Sequence, residues 1–538
     1  MRDAYDLIVI GGGHNGLVAA AYLARAGQQV LVLERRDVLG GAASTEPVFP
    51  GWRVNTGAAD AGMFLPEIIT DLELERRGLR LIHSPVVVFA PQPDGRSLTL
   101  WRDPQKAQQE IAQFSKADAE KYPAFLLRVQ RLADVLAGIM KLTPPSIPHY
   151  QVDELLSWAR VGLKLKRLPD QEMMEFLRLL PLPVSDFLDG WFETPALKAA
   201  LGAAGVTGSL QGPQASGTAF MLLYQAIHAG QAAFRASSFV EGGMGRLSEV
   251  LADVAREHGA EICTGMGVDQ VILDGERARG VRLENGMQIS AHAVISSANP
   301  RHTFFDLLGA PNLEVRFVRE VKNIKFRGST ARVNLALGGL PRFSAGGPHS
   351  LIPGDPAHLS GHILICPSLE YLERAYDDAK YGAMSRRPCL DIVIPTLLDP
   401  SLAPPGQHLM SINMQYAPYH IKHTHWDAER ERLGDRVVET LAEYAPGIPE
   451  LILDRQVLTP LDLERQYGLA EGCIFHGQMG LDQLLFMRPA AGFGQYRTPI
   501  KDLYLCGAGA HPGGGVTGAP GYNAAREVLK DLKASRKR

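Results

Sequence analysis

The sequence predicts an α/β fold: a Rossmann-like nucleotide-binding domain built in two parts, a mixed α+β substrate domain and a helical cap. Three observations predict it. Tyr5–Glu34 reads strand, glycine turn, helix, strand, acid. From Glu241 onward a helix is followed by short β-prone runs, tight turns and a return strand ending near Ser297. Finally, Asp502–Gly521 repeats the strand-to-glycine pattern and leads into a helix over Tyr522–Lys533.

Each element has a physical reason. Leu7–Ile10 is an apolar run long enough for one buried strand, and the glycines follow as Gly11-x-Gly13-x-x-Gly16. Gly11 permits the tight turn, Gly13 lets the backbone approach a pyrophosphate, and Gly16 lets the helix lie close on the sheet. The free N–H groups and positive dipole end of that helix favour an anion. Leu17, Ala20, Ala21, Leu23 and Ala24 give the helix an apolar side; it stops at Gly27, and Val30–Leu33 forms the second strand. Glu34 closes that strand where a carboxylate reaches a ribose.

The pair Gly40-Gly41, followed by Ala42, keeps the next backbone flat, as in proteins that pass the chain along a flavin. Asn55–Met63 is a second stretch of small residues expected in the same groove. From Pro104 to Gly230 apolar residues recur at helical spacing, with breaks at Pro144-Pro145, Pro181–Pro183 and Pro195. Arg246–His258 reads as a helix, then Glu261–Cys263, Val268–Leu273, Arg279–Glu284, Gln288–Ala291 and Ala293–Ser297 as separate strands. Asp274-Gly275 and Asn285-Gly286 supply turns. Val333–Leu337, Ile363–Cys366, Leu390–Pro395 and Leu409–Gln415 are expected to form a sheet carrying the substrate site. The expected pieces are 1–103, 241–300 and 490–538 for the cofactor domain, 104–240 for the cap, and 301–489 for the substrate sheet.

Seven glycines fall in the fifteen residues from Gly507, a large backbone-entropy cost that a loop lying against a flat ligand would justify. The helix beginning after Pro520 would point its positive end at a flavin ring.

Composition narrows the function. Net charge is 55 − 58 = −3, which gives no overall attraction to nucleic acid. The segment 530–538 is locally basic and suits an acidic membrane surface. Five scattered cysteines without a CxxC fit a reducing compartment and give no local thiol–disulfide pair. Four residues before Tyr5 leave no expected leader, and no apolar run reaches membrane-spanning length. A cytoplasmic protein, at most peripheral to a membrane, is expected. His420, His423 and His425 with Asp427 read as a polar loop, its Thr424 or Asp427 capping the next helix, and no metal is expected.

The stretches at 11–27, 33–46, 111–125, 472–489 and 506–525 together resemble the phytoene dehydrogenase and carotenoid isomerase group of FAD-dependent oxidoreductases, from one end of the chain to the other. The resemblance implies a two-part FAD-binding domain with FAD as cofactor. It places Gly11, Gly13 and Gly16 on the pyrophosphate, Glu34 on the adenosine ribose and Val268 beside the adenine. Gly507 and Val516, Thr517 and Gly518 would follow the ribityl chain and flavin. Arg35, Gly41 and Ala42 complete the expected lining; many members carry Arg where this chain has Ala42. No second fingerprint follows a strand, so no NAD(P)H domain is expected.

The expected reaction is hydride transfer to flavin from a lipophilic, isoprenoid- or carotenoid-like substrate, giving desaturation or isomerisation, with electrons leaving to a quinone, oxygen or another carrier. The helical segment would cap an apolar channel. His511 and His476 are the candidates for proton transfer, and each also suits a role in fixing a glycine-rich loop. A flavin amine oxidase and a flavin-binding regulatory protein with little turnover are the alternatives.

Overall fold

Five parallel strands form the floor of the site, in the order Glu261–Cys263, Val30–Leu33, Ala4–Ile10, Gln288–Ser296, Leu503–Leu505. They belong to a computed structural model that describes residues 2, 4–146, 158, 159, 161–163, 166, 169–230, 232–344 and 356–535. Leu7, Ile8, Val9 and Val30–Val32 are fully buried, as strands covered on both faces must be. Burial of each such side chain contributes about 1.5–3 kcal/mol. The helix His14–Arg25 covers this sheet and packs against Met244–Glu257 and Ala519–Ser535. Helices from three distant parts of the chain therefore meet over one nucleotide turn.

An antiparallel meander, Val268–Asp274 with Arg277–Leu283, extends the floor. The two runs expected on either side of His292 are one strand, Gln288–Ser296. Its first half pairs with the meander and its second half with Leu503–Leu505, so no turn is needed between them.

The second sheet has seven strands, in the order Ile452–Leu458, Thr330–Leu337, His408–Gln415, Cys389–Val393, His362–Ile365, Val86–Pro91, Ser97–Trp101. All neighbours are antiparallel except His362–Ile365 with Val86–Pro91. The last two strands come from the piece expected at 1–103 for the cofactor domain, yet they pair in this second sheet and not in the first. One face of this sheet packs under the helix Trp426–Ala442 through Val333, Ile363, Ile392, Ile412, Leu433 and Val437.

The helical segment contains Pro104–Ala112, Lys116–Met140, Asp170–Leu179, Val184–Asp189, Pro195–Gly202 and Thr218–Gln225. Phe125, Phe187, Trp191 and Phe192 stack into its own core. The part of the expected cap at 147–157 lies outside the described residues, as do Arg536–Arg538 of the basic tail. His425, not Thr424 or Asp427, occupies the N-cap of Trp426–Ala442; Thr424 bonds Glu429, and Asp427 pairs with Arg465. Among the described residues no group of three His, Cys, Asp or Glu could hold a metal, and no helix is long and apolar enough to cross a membrane.

Candidate functional site

The two sheets enclose one cavity of about 610 Å³. Its floor is the glycine turn. Gly11 has φ +93°, a conformation that disfavours any side chain, and its N–H donates to the Leu33 carbonyl. Leu17 is where intrahelical bonding begins, its N–H donating to Gly13 O. A Cβ at Gly13 would meet nothing nearer than Gly40 O, 3.9 Å away, so the space in front of this turn is open. A Cβ at Gly16 would instead lie 2.1 Å from Gly11 O, because helix and strand are in contact there. Glu34 is buried at the end of its strand; Oε2 accepts from the Gly12 N–H (2.7 Å) and Oε1 from the Arg36 N–H (2.9 Å). The carboxylate is thereby fixed while retaining lone pairs for a ribose.

Of the expected site residues, Gly11, Gly13, Glu34, Arg35, Gly41, Ala42, Val268, Val516 and His476 line this cavity. Gly16, Gly507, Thr517, Gly518 and His511 are not part of its lining. Gly507 packs where a Cβ would come within 2.2 Å of Ser297 O, and Gly521 where one would come within 2.1 Å of Asn15 O. Close protein contact thus explains these glycines, which the sequence attributes to a flat ligand. Thr517 accepts the Leu65 N–H at its carbonyl and the Ala519 N–H at its hydroxyl, fixing the start of the last helix. Where Ala42 lacks a polar side chain, Arg36 brings a guanidinium to the Gly41 carbonyl (3.3 Å) and pairs with Glu46 (2.7 Å).

His511 and His476 part company. His511 Nε2 lies 3.2 Å from the Ile139 carbonyl, its own carbonyl accepts the Tyr496 hydroxyl, and burial holds its pKa down at about 4. It joins helix Lys116–Met140 to the C-terminal loop. His476 faces the cavity with Nδ1 unpartnered, and burial, reinforced by Arg488, holds it down at about 3. His14, also on the lining, is held by burial at about 4 with Nε2 unpartnered. All three imidazoles are neutral at physiological pH, which makes them weak bases.

The opposite wall holds residues that the sequence reading missed, Arg235, Arg332, His362, Asp391 and Asn413, beside Asp60 from the Asn55–Met63 stretch expected in this groove. Asp391 pairs with Arg235 (3.1 Å) and with His362 Nδ1 (2.7 Å), and His362 Nε2 lies 3.6 Å from Asp60. Burial opposes charge on Asp391, but Arg235 and His362 outweigh it and hold its carboxyl well below the usual range. Burial and Arg235 oppose charge on His362, and the two carboxylates outweigh both, so its pKa is raised. The signal available in the sequence was a charged residue interrupting an apolar strand: Arg332 in Thr330–Leu337 and Asp391 in Cys389–Val393.

Apolar atoms still make up most of the lining, from Ala203, Val206, Leu364, Ile474, Phe475 and others. Among the described residues, the expected cap 104–240 contributes Ala203, Val206, Thr207, Gln225, Arg235 and Ala236, while its longer helices pack on one another. Gln415 ties that part to the sheet by donating to the carbonyls of Val206 (3.0 Å) and Ser209 (2.7 Å).

Comparison with known proteins agrees with this geometry. The family model of flavin containing amine oxidoreductases matches residues 16–529. The chain is 39% identical to pyridine nucleotide-disulfide oxidoreductase domain-containing protein 2 of Rattus norvegicus, covering 99% of this chain and 94% of that protein. It is 29% identical to a limonene dehydrogenase subunit of Castellaniella defragrans (98% and 95%). A lycopene-forming phytoene desaturase of Pseudescherichia vulneris is more distant, at 26% (98% and 99%). Among solved structures, an oxidoreductase from Methanosarcina mazei superposes with a TM-score of 0.58 at 19% identity, over 98% of this chain and 100% of that one, a likeness of fold. The cofactor is FAD. The open turn at Gly13, the free N–H groups of the helix that follows and the fixed Glu34 suit its pyrophosphate and adenosine ribose.

Proposed function

The chain belongs to the flavin-containing amine oxidoreductase family, and we propose that it oxidises a C–H bond of a largely apolar small molecule. The single observation that carries this reading is the shared chamber: the nucleotide turn and the inner face of the second sheet line one cavity. FAD bound there supplies a two-electron acceptor for hydride. The protein binds the pyrophosphate at Gly11–Gly16, excludes water with Val206, Leu364, Ile474 and Phe475, and fixes the substrate between the turn and the sheet. No strong base is supplied from the loop side, because His476 is held at about 3. That favours a reaction whose first step is hydride loss from carbon. Electrons then pass to a quinone, oxygen or another carrier, and a location at a membrane surface would suit a lipophilic substrate.

Oxidation of an amine is the second reading, favoured by the match of residues 16–529 to the family model of flavin containing amine oxidoreductases. Anaerobic titration of the purified, FAD-loaded protein separates the two. Bleaching of the flavin band by monoterpene or other isoprenoid substrates, with simple alkylamines inert, is the expected result. Bleaching by amines alone would transfer the assignment to amine oxidation, and release of no FAD on denaturation would defeat both.

A further inference from the structure

Arg332 projects from Thr330–Leu337 into the cavity and is only 3% exposed. Its Nη1 donates to Asn413 Oδ1 (2.8 Å), on the paired strand directly opposite. Nε and Nη2 have no partner. Those two nitrogens share one edge of the planar guanidinium, the edge that offers two parallel N–H bonds to both oxygens of a carboxylate. Among the described residues no Asp or Glu forms an ion pair with Arg332. The acids on its wall are engaged elsewhere: Asp391 holds Arg235 and His362, and Asp60 accepts the Gly62 N–H (2.9 Å). Three basic groups, Arg235, His362 and Arg332, thus face two acids, and Arg332 is the one left over. Burial outweighs the pull of Tyr467, Asp391 and Asp60 and brings Arg332 down to about 10. A buried cation with two hydrogen bonds unmade is unfavourable until a ligand completes it.

We propose that Arg332 is the specificity-determining residue of this site and that the substrate is an apolar molecule ending in a carboxylate, gripped by the Nε and Nη2 edge. The proposal rests on the oxidoreductase reading and adds the chemical class of its substrate. A hydroxyl or carbonyl oxygen would meet the fork with one atom where a carboxylate brings two. A simple amine would place a second cation beside the first.

The test uses the FAD-loaded protein with sodium octanoate, 1-octanol and octylamine as probes, followed by perturbation of the flavin absorption band. Octanoate should bind about tenfold or more tighter than octanol and octylamine. Arg332→Met should abolish that preference with flavin content unchanged, and Arg332→Lys, which keeps the charge but not the fork, should fall between. The proposal is overturned if wild-type protein binds octanol as well as octanoate, a result that needs no variant. It is equally overturned if Arg332→Met leaves octanoate affinity within about twofold, or strips FAD, since the free edge would then serve the cofactor. A protein that carries FAD but ignores octanoate defeats this inference alone; one that never binds FAD defeats the oxidoreductase reading beneath it as well.

Discussion

Arg332 and Arg488 are both buried, at 3% and 2% exposure, and burial lowers both to about 10. Their surroundings differ. Arg488 donates from Nε to Ala508 O (3.0 Å), from Nη1 to Gln483 O (3.2 Å), and from Nη2 to the carbonyls of Phe475, Gly477 and Ala508. It staples the 472–489 segment to the C-terminal glycine loop, and its donors are used by the chain itself. Arg332 spends one bond on Asn413 and turns a free edge to the cavity. The same residue type at the same depth serves structure in one place and waits for a ligand in the other. What separates them is the count of partners, not burial or charge.

Acid should break the loop side first. His14, His476 and His511 are neutral when folded, near 4, 3 and 4, and would take up protons near 6.5 when unfolded. The unfolded chain binds more protons between these values, so stability present above pH 6.5 is lost as pH falls toward 4, by more than about 3 kcal/mol in sum. Urea midpoints at pH 6.5 and 4.5 check it, and equal midpoints would show the imidazoles are not held neutral. Arg488→Met should cost about 3 kcal/mol or more, because several buried carbonyls lose their donor at once. A melting temperature close to wild type would remove the contrast with Arg332. Gly13→Ala probes empty space on the floor, where no protein atom stands within 3.9 Å of the new methyl. Thermal stability without cofactor should hold while FAD affinity falls about tenfold or more, measured by flavin retained on dialysis. Arg332→Met should change stability by only about 1 kcal/mol in either direction, since an incompletely bonded cation and one bond to Asn413 leave together. The smallest effect is expected at His362, whose pKa is raised. Its contribution is present below pH 6.5 and fades as pH rises through the folded value, opposite in sign to the loop histidines. His362→Gln should flatten the stability profile above pH 6.5.

Legibility followed sequence distance. The floor of the cavity lies in one stretch of thirty residues, Tyr5–Glu34, where strand, turn, helix and acid are read together. Arg332, His362 and Asp391 converge only because three strands pair across the second sheet, and pairing partners are not written in any local pattern. Val86–Pro91 fell in the piece expected for the cofactor domain for the same reason: its parallel pairing with His362–Ile365 spans some 270 residues. In the C-terminal loop the glycines were visible and their reason was not, because the groups they touch, Ser297 and Asn15, lie far away in the chain.

The floor sheet also sets an order of events during synthesis. Ala4–Ile10 leaves the ribosome early but has no neighbour on one side until Gln288–Ser296 arrives, and that strand in turn waits for Leu503–Leu505. The helix that covers the nucleotide turn waits for Ala519–Ser535. Capture of FAD should therefore wait for Leu503–Leu505 and Ala519–Ser535, and until they arrive an apolar strand stands with an open edge, exposed to chaperones and to aggregation. Chains halted after Pro489 and held on the ribosome should carry no flavin and bind chaperone strongly, whereas chains extended through Ala519–Ser535 and released should acquire FAD. Flavin on the halted chains would show that the early strands close the site without the late ones.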